Sequence, residues 1–199
     1  MLTQIVILSL VGGLLCLDRI FLQAMLSRPI VIAPVAGFLL GDSYTGLIIG
    51  AIFELFWIDR APIGIYIPPN DSVASAFAAA LAILAGQSLG AVTKELMALS
   101  VLLAVPFGIL AKRMDVRMMA ANDRLSDRAL EEAKSLNFRA IENMTYFALG
   151  RAFVLYAAML LVLPAIFVPT VIRLYPKLPA PIGDALTLTY YFLPVLGTA

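Results

Sequence analysis

The sequence predicts an all-α, polytopic integral membrane protein with broken or re-entrant helices. Of its 199 residues, 62% are hydrophobic and 14% are charged, whereas a soluble domain is usually about 45–50% apolar and about 25% charged. So much apolar surface cannot be buried inside one soluble core of this size, so lipid must cover part of it. In addition, several uncharged runs approach the roughly 20 residues that a helix needs to cross a membrane.

Charge and rare residue types exclude several functions. The formal net charge is only +1, which argues against electrostatic binding of nucleic acid. The chain has one cysteine, Cys16, and no histidine, which excludes an intrachain disulfide, a cysteine metal cluster, histidine-based zinc sites and Ser-His-Asp triads. We therefore predict no catalytic residue, no metal ligand and no cofactor, and a chain that is not an enzyme on its own.

The first element is predicted over Met1–Leu17, which is uncharged. This segment lacks a basic region and a small-residue cleavage site, so we interpret it as a retained helix and not as a signal peptide.

The next stretch is broken by Gly, Pro and isolated charges. At about 1.5 Å per residue, its pieces are too short to cross about 30 Å of hydrocarbon. Such interruptions occur at the binding sites of transporters. The alternative is a set of ordinary spans that tolerate an occasional charge and are joined by tight turns. The pieces are Pro29–Gly41, Ser43–Phe53 and Ala61–Asn70.

Further along the chain, Ser72–Thr93 and Ala152–Ile172 are long enough to span a membrane. Leu96–Ala111 is a little short, but flanking Lys and Arg side chains can extend to the interface. The last segment, Ala185–Ala199, is uncharged.

Residues 112–142 differ from their surroundings, because they hold 7 of the 14 basic and 6 of the 13 acidic residues. Apolar residues recur there at helical spacing, and Arg128/Glu132 and Glu131/Lys134 are placed to pair. The positive-inside rule puts this segment in the cytoplasm. We therefore divide the chain into an N-terminal membrane half (1–111, with a broken-helix region at 29–71), a cytoplasmic amphipathic linker (112–142) and a C-terminal membrane half (143–199).

Acidic residues near the membrane interior cost at least about 2.5–3.5 kcal/mol each, so each one suggests a function. Glu54 is the strongest candidate for binding substrate; alternatively it pairs with Arg28 or Arg60. Asn70 and Asp71 open the longest apolar helix, where they either bind substrate or cap the helix. Asp42 follows Gly41 and is first of all a turn and cap residue; Asp18 is a weaker candidate.

The order of these residues resembles a known family. Five features follow one another within about 50 residues. They are Arg28-Pro29, a Gly41-Asp42 turn, a glycine-rich helix that ends at Glu54, Ile63-Gly64, and a helix that begins at Asp71. This pattern is similar to the IIC subunit of the mannose/fructose/sorbose family of the bacterial phosphotransferase system, in particular to sorbose-specific IIC proteins.

The resemblance implies a sugar-translocating, multi-pass subunit of the bacterial cytoplasmic (inner) membrane. In that family, the IIC protein works with a second membrane subunit, IID, while IIA and IIB phosphocarrier proteins pass phosphate from phosphoenolpyruvate to the sugar. We also expect an oligomer. By position, Glu54 and Asp71 match the acids near the sugar, with Asn70 beside Asp71, whereas Arg28 and Asp42 match positions that shape the fold. Asp42 is kept as a further candidate for substrate binding.

The sequence also departs from the family pattern, with Ser27 where histidine is common and Pro62 where asparagine is common. It stops at Ala199, where family members continue, so the resemblance implies a relative shortened at the C-terminus. Two other functions stay open: an ion- or proton-coupled transporter subunit in which Glu54 titrates, and a membrane scaffold subunit without a substrate.

Overall fold

The computed structural model describes residues 1–58 and 67–196, and the regular structure of this part is helical. The expected all-α fold is confirmed. Arg60, Pro62 and Ile63-Gly64, which the sequence analysis singled out, lie outside the described residues. The helices are α1 (Leu2–Leu17), α2 (Pro29–Leu40), α3 (Ser43–Phe56), α4 (Asp71–Leu89), α5 (Lys94–Lys134), α6 (Phe138–Leu174) and α7 (Ala180–Leu196), with a 3₁₀ turn at Tyr175–Lys177.

Three helices among the described residues are long and apolar enough to cross a membrane, namely α4, α5 and α6 with its 3₁₀ turn. Large apolar side chains also face outward. Phe38 is 73% exposed, Val154 is 63% exposed and Ile166 is 55% exposed. A soluble surface would place few such residues outside, so this exposure fits contact with lipid.

The broken region forms a short helical hairpin of α2 and α3. Pro29 starts α2 at a position where its missing N–H costs nothing. Gly41 ends α2 in the left-handed conformation with φ +90°, and the Asp42 carboxylate caps α3 by accepting the Thr45 N–H at 3.0 Å. At 12 and 14 residues, these helices are about 18 and 21 Å long, so each is too short to cross the hydrocarbon layer.

Close approach of the two helices in this hairpin depends on glycine. A Cβ atom on Gly37 would lie 2.5 Å from the Asp42 carbonyl oxygen, and one on Gly50 would lie 2.5 Å from the Pro29 carbonyl oxygen. Small residues that let backbones touch are a common way to join helices in membranes.

Helix α4 is the centre of the molecule, where it packs against α2, α3, α5 and α6. Asn70 caps its N-terminus, every residue from Ser72 to Gly86 is buried, and Gly90 ends it at φ +99°. Its many alanines allow the surrounding helices to pack closely around it.

Helices α5 and α6 are much longer than the apolar runs within them. They contain 41 and 37 residues, which corresponds to about 61 and 55 Å. The charged segment 112–142 is therefore not a separate helix, because it consists of the continuous ends of α5 and α6, joined at residues 135–137 with Leu136 at φ +57°. We call this projection the α5–α6 hairpin.

Of the two side-chain pairs expected on this hairpin, one forms. Lys134 Nζ lies 2.8 Å from Glu131 Oε1. Within the described ranges, no ion pair joins Arg128 to Glu132; the Glu132 carboxylate accepts a hydrogen bond from Asn137 Nδ2 at 2.7 Å instead. Glu132 therefore interacts with the turn between the two helices and not with the Arg128 guanidinium.

Helices α1 and α7 pack on the outside of this arrangement. α1 lies against α6, and α7 lies against α5 and α3. Two hydrogen bonds tie α7 to the start of α5: Lys94 Nζ donates to the Tyr191 hydroxyl at 2.6 Å, and the Thr187 hydroxyl donates to Glu95 Oε1 at 2.7 Å.

Candidate functional site

The N-terminal ends of α2 and α4 meet at one level of the molecule. The Ser72 hydroxyl donates to the Ser27 carbonyl oxygen at 2.6 Å, next to the start of both helices. Near the other ends, Gln87 Nε2 donates to the Leu40 carbonyl oxygen at 2.6 Å. The two helices are therefore parallel, and their positive dipole ends lie side by side. We call the side chains around these ends the polar cluster.

Glu54 reaches this cluster from the last turn of α3, which runs antiparallel to α2. Its carboxylate forms an ion pair with Arg28 and accepts the Ile30 N–H at 3.3 Å. Arg28 is one of the two alternative partners predicted from the sequence, and this ion pair forms in the structure. The Glu54 carboxylate thus neutralises both the guanidinium and the N-terminus of α2.

Asp71 forms the second ion pair of the cluster, with Arg19. Asp71 Oδ1 also accepts the Ser72 N–H at 2.9 Å, in the first turn of α4. The side chains of the two acids are 14–20% exposed, whereas those of Arg19 and Arg28 are 30–42% exposed. The polar atoms of the cluster can therefore be reached from outside the protein.

Asn70 is buried and links α4 to α5. Its side-chain oxygen accepts the Val73 N–H at 3.0 Å, its Nδ2 donates to Asp115 Oδ2 at 2.9 Å, and its backbone N–H donates to the Gly108 carbonyl oxygen at 3.0 Å. As predicted for one of its two roles, Asn70 caps the helix.

Asp115 is not among the site residues predicted from the sequence. It is only 6% exposed, and buried Tyr156 is its neighbour on α6. Among the described residues, Asp115 Oδ1 has no hydrogen-bond partner. Its place in the charged segment 112–142 gave no sign of burial, because burial depends on how α5 packs against α4 and α6.

The loop before α2 holds the two arginines in place. Asp18 is 2% exposed and accepts N–H groups from Ala24 at 2.8 Å and Ser27 at 3.2 Å. Burial raises the pKa of Asp18, but these backbone hydrogen bonds outweigh it, so the pKa is lowered overall. Asp18, named as a weaker candidate, therefore orders the segment between Arg19 and Arg28. The Ser27 hydroxyl also lies 3.4 Å from Asp18 Oδ2 and belongs to the same network.

Asp42 lies away from the cluster. It caps α3 at the far end of the α2–α3 hairpin, where its carboxylate also accepts the Thr45 hydroxyl at 2.5 Å. The length of α2 separates it from Arg28 and Glu54 by about 18 Å. One small ligand cannot contact both Asp42 and Glu54.

The cluster suits a neutral, polar ligand. It offers carboxylate oxygens as acceptors and guanidinium N–H groups as donors, and a polyol has hydroxyls that can both donate and accept. No group of three or more metal-ligating side chains occurs in the part of the chain that the structure describes. The backbone hydrogen bond between Asn70 and Gly108 lies close to Ala111, where the apolar run of α5 ends and its charged part begins. The cluster therefore lies near the part of α5 from which the α5–α6 hairpin projects.

Several apolar helices of spanning length, packed around a short helical hairpin, define the chain as a polytopic membrane protein. The sequence profile of one family, described as the PTS system sorbose-specific IIC component, matches residues 2–199. The chain belongs to this family, and the resemblance seen in the sequence is confirmed.

Individual relatives agree with this assignment. The chain is 27% identical over 141 residues to the fructose permease IIC component of Bacillus subtilis (strain 168), covering 71% of this chain and 49% of that protein. It is 28% identical over 131 residues to the PTS system mannose-specific EIIC component of Escherichia coli (strain K12), covering 62% and 46%. The chain thus spans about half the length of these two curated relatives.

A solved structure shares the fold. It is a cryo-EM structure of the mannose transporter ManYZ in complex with microcin E492 (MceA). The match has a TM-score of 0.73 at 21% sequence identity, and it covers 100% of this chain and 77% of that chain. At this level of identity, the likeness extends to the arrangement of the helices.

Proposed function

We propose that the chain is the sugar-translocating membrane subunit of a phosphoenolpyruvate-dependent phosphotransferase system of the mannose/sorbose type, in the bacterial cytoplasmic membrane. Its family supports the general role. The observation that carries the proposal is the polar cluster, in which two carboxylate–guanidinium pairs meet at the ends of α2 and α4. Such a subunit transports and is not an enzyme on its own.

In this proposal, sugar hydroxyls donate to Glu54 and Asp71 and accept from Arg28 and Arg19. Sugar binding exchanges part of each ion pair for hydrogen bonds to the ligand, and alternating access then carries the sugar across the membrane. On the cytoplasmic side, a IIB protein that receives phosphate from IIA phosphorylates the sugar, which prevents its return. An IID subunit is the proposed partner within the membrane.

The test replaces the wild-type chain in its native cells with Glu54→Gln or Asp71→Asn and measures uptake of radiolabelled mannose, fructose and sorbose. Hydrogen bonds to charged groups contribute about 1.5–3 kcal/mol, so each variant should lower uptake at limiting sugar by about tenfold or more. The matched control is Asp42→Asn. It also removes one carboxylate charge, but it keeps a good helix cap and lies about 18 Å from the cluster.

Equal amounts of each variant in the membrane fraction exclude a failure of insertion. Normal uptake in both cluster variants, or an equal loss in Asp42→Asn, would contradict the assignment of the site. Unchanged behaviour in all variants would favour a scaffold subunit.

A second function, an ion- or proton-coupled transporter subunit, is favoured by one observation: Asp115 is a buried carboxylate with an oxygen that lacks a partner among the described residues. Uptake that needs no phosphoenolpyruvate, stops when an uncoupler is added and is lost in Asp115→Asn would support that function.

A further inference from the structure

A groove lies between the two helices of the α5–α6 hairpin, remote from the polar cluster. It encloses about 580 Å³. Its charged lining consists of Arg124, Arg128 and Arg151, and its apolar lining of Leu125, Phe147 and two alanines. No acidic side chain of the described residues lines it. A site with three positive charges and an apolar wall fits a ligand that is anionic at one end and apolar at the other.

Neighbouring side chains hold Arg151 in the groove. Arg151 Nη1 donates to Asn122 Oδ1 at 3.1 Å, and its guanidinium lies over the Phe147 ring at 5.1 Å from the centroid. These contacts fix the side chain and leave its other N–H groups available. Glu132, the acid spaced to pair with Arg128, bonds to Asn137 instead. No carboxylate within residues 1–58 and 67–196 forms an ion pair with any of the three arginines.

On α6 the groove lies at the charged end of the apolar run, whereas on α5 its residues lie about 13 Å or more beyond Ala111, where the apolar run of that helix ends. Arg151 immediately precedes the uncharged run Ala152–Ile172 of α6, and the Asn122–Arg151 bond places the facing part of α5 at the same level. Tyr146 points outward beside it, since this side chain is 61% exposed. Exposed aromatic rings are enriched where lipid headgroups meet the acyl chains.

We propose that this groove binds the phosphate headgroup of an anionic phospholipid. Guanidinium groups form paired hydrogen bonds to phosphate oxygens, and basic pockets between helices at the cytoplasmic surface suit such lipids. The apolar wall formed by Leu125 and Phe147 then contacts the glycerol and upper acyl chain. An acidic soluble protein would match the charges equally well, but it would not account for the apolar wall or for the position at the start of the α6 apolar run.

The experiment is native mass spectrometry of the full chain purified in detergent, with phosphatidylglycerol or phosphatidylcholine of the same acyl chains added. A basic residue near an anionic lipid surface strengthens binding by about fivefold. The wild type should therefore bind phosphatidylglycerol at least about fivefold more strongly than phosphatidylcholine. The variant Arg124→Gln/Arg128→Gln/Arg151→Gln should lose this preference.

The matched control is Arg139→Gln/Arg173→Gln/Lys177→Gln, which removes the same charge at exposed positions outside the groove and should keep the preference. If the triple groove variant does not fold, Arg124→Gln alone should weaken phosphatidylglycerol binding by about fivefold. The proposal is overturned if the wild type shows no preference, or if the groove and control variants lose it equally. It is also overturned if excess inorganic phosphate displaces the lipid, because the groove would then be a site for free anions.

Discussion

Three of the four predicted binding residues, Glu54, Asn70 and Asp71, lie in one cluster. Their residue types and their positions in broken apolar sequence were enough to select them, because an isolated acid in such a stretch needs a partner or a ligand. Their partners were harder to predict. Arg19 lies 52 residues before Asp71, and Asp115 lies 45 residues after Asn70. Those pairs arise only when α1, α4 and α5 pack together, which no local pattern specifies.

At this scale, the Asn70–Asp115 hydrogen bond should be worth more than an ordinary helix cap. Asn70→Ala removes the helix cap, which should lower the unfolding free energy by about 1 kcal/mol. It also leaves the buried Asp115 carboxylate without its hydrogen-bond donor, which should lower the unfolding free energy by about 1–3 kcal/mol more. In a double-mutant cycle with Asp115→Ala, the double variant should therefore lose less unfolding free energy than the sum of the single variants. The measurement is unfolding of the purified chain by denaturing detergent. Asn137→Ala removes the exposed cap of α6 and should show no coupling to Asp115; additivity at Asn70 would contradict the interpretation.

At the scale of the helices, the sequence indicated where helices break but not how far they continue. The Gly41-Asp42 pair marked the turn of the α2–α3 hairpin, because the glycine adopts a positive φ at the end of α2 and the aspartate caps the start of α3. The change in composition at Lys112 suggested a separate linker, yet α5 continues through it. No glycine or proline occurs from residue 109 to residue 149, so nothing in the sequence breaks the helix at Lys112. The change from apolar to charged residues marks a change in what surrounds the helix, while the backbone stays helical.

The close contact within the α2–α3 hairpin predicts opposite effects for two Gly→Ala changes. The Cβ in Gly50→Ala would lie 2.5 Å from the Pro29 carbonyl oxygen, which overpacks the hairpin and should cost about 1–3 kcal/mol. Gly150 lies in α6 with nothing within 4 Å of a new Cβ, so Gly150→Ala should stabilise by about 0.4–1 kcal/mol through better helix propensity. Unfolding free energies of the two variants check this; changes of the same sign would contradict the contact.

At the scale of the whole molecule, the structure places two features toward one end. The polar cluster meets α5 near Gly108, close to the end of the apolar run Leu96–Ala111. The α5–α6 hairpin, with half of the basic residues, projects from that same end. The division into two membrane halves and a cytoplasmic linker stays a prediction, because it depends on where the membrane lies around the helices.

Sidedness supplies the test, because Ala91 and Ser135, which flank α5 on either side, are both exposed. We expect a membrane-impermeant maleimide to label Ala91→Cys in intact spheroplasts, and to label Ser135→Cys only after the membrane is permeabilised. The native Cys16 is buried, so the wild-type chain serves as the unlabelled control. Labelling of Ser135→Cys in intact spheroplasts would contradict a cytoplasmic hairpin, and labelling of both variants would contradict a crossing by α5. The expected pattern would place the cluster toward the cytoplasmic side, as the proposed phosphorylation of a bound sugar by a IIB protein requires.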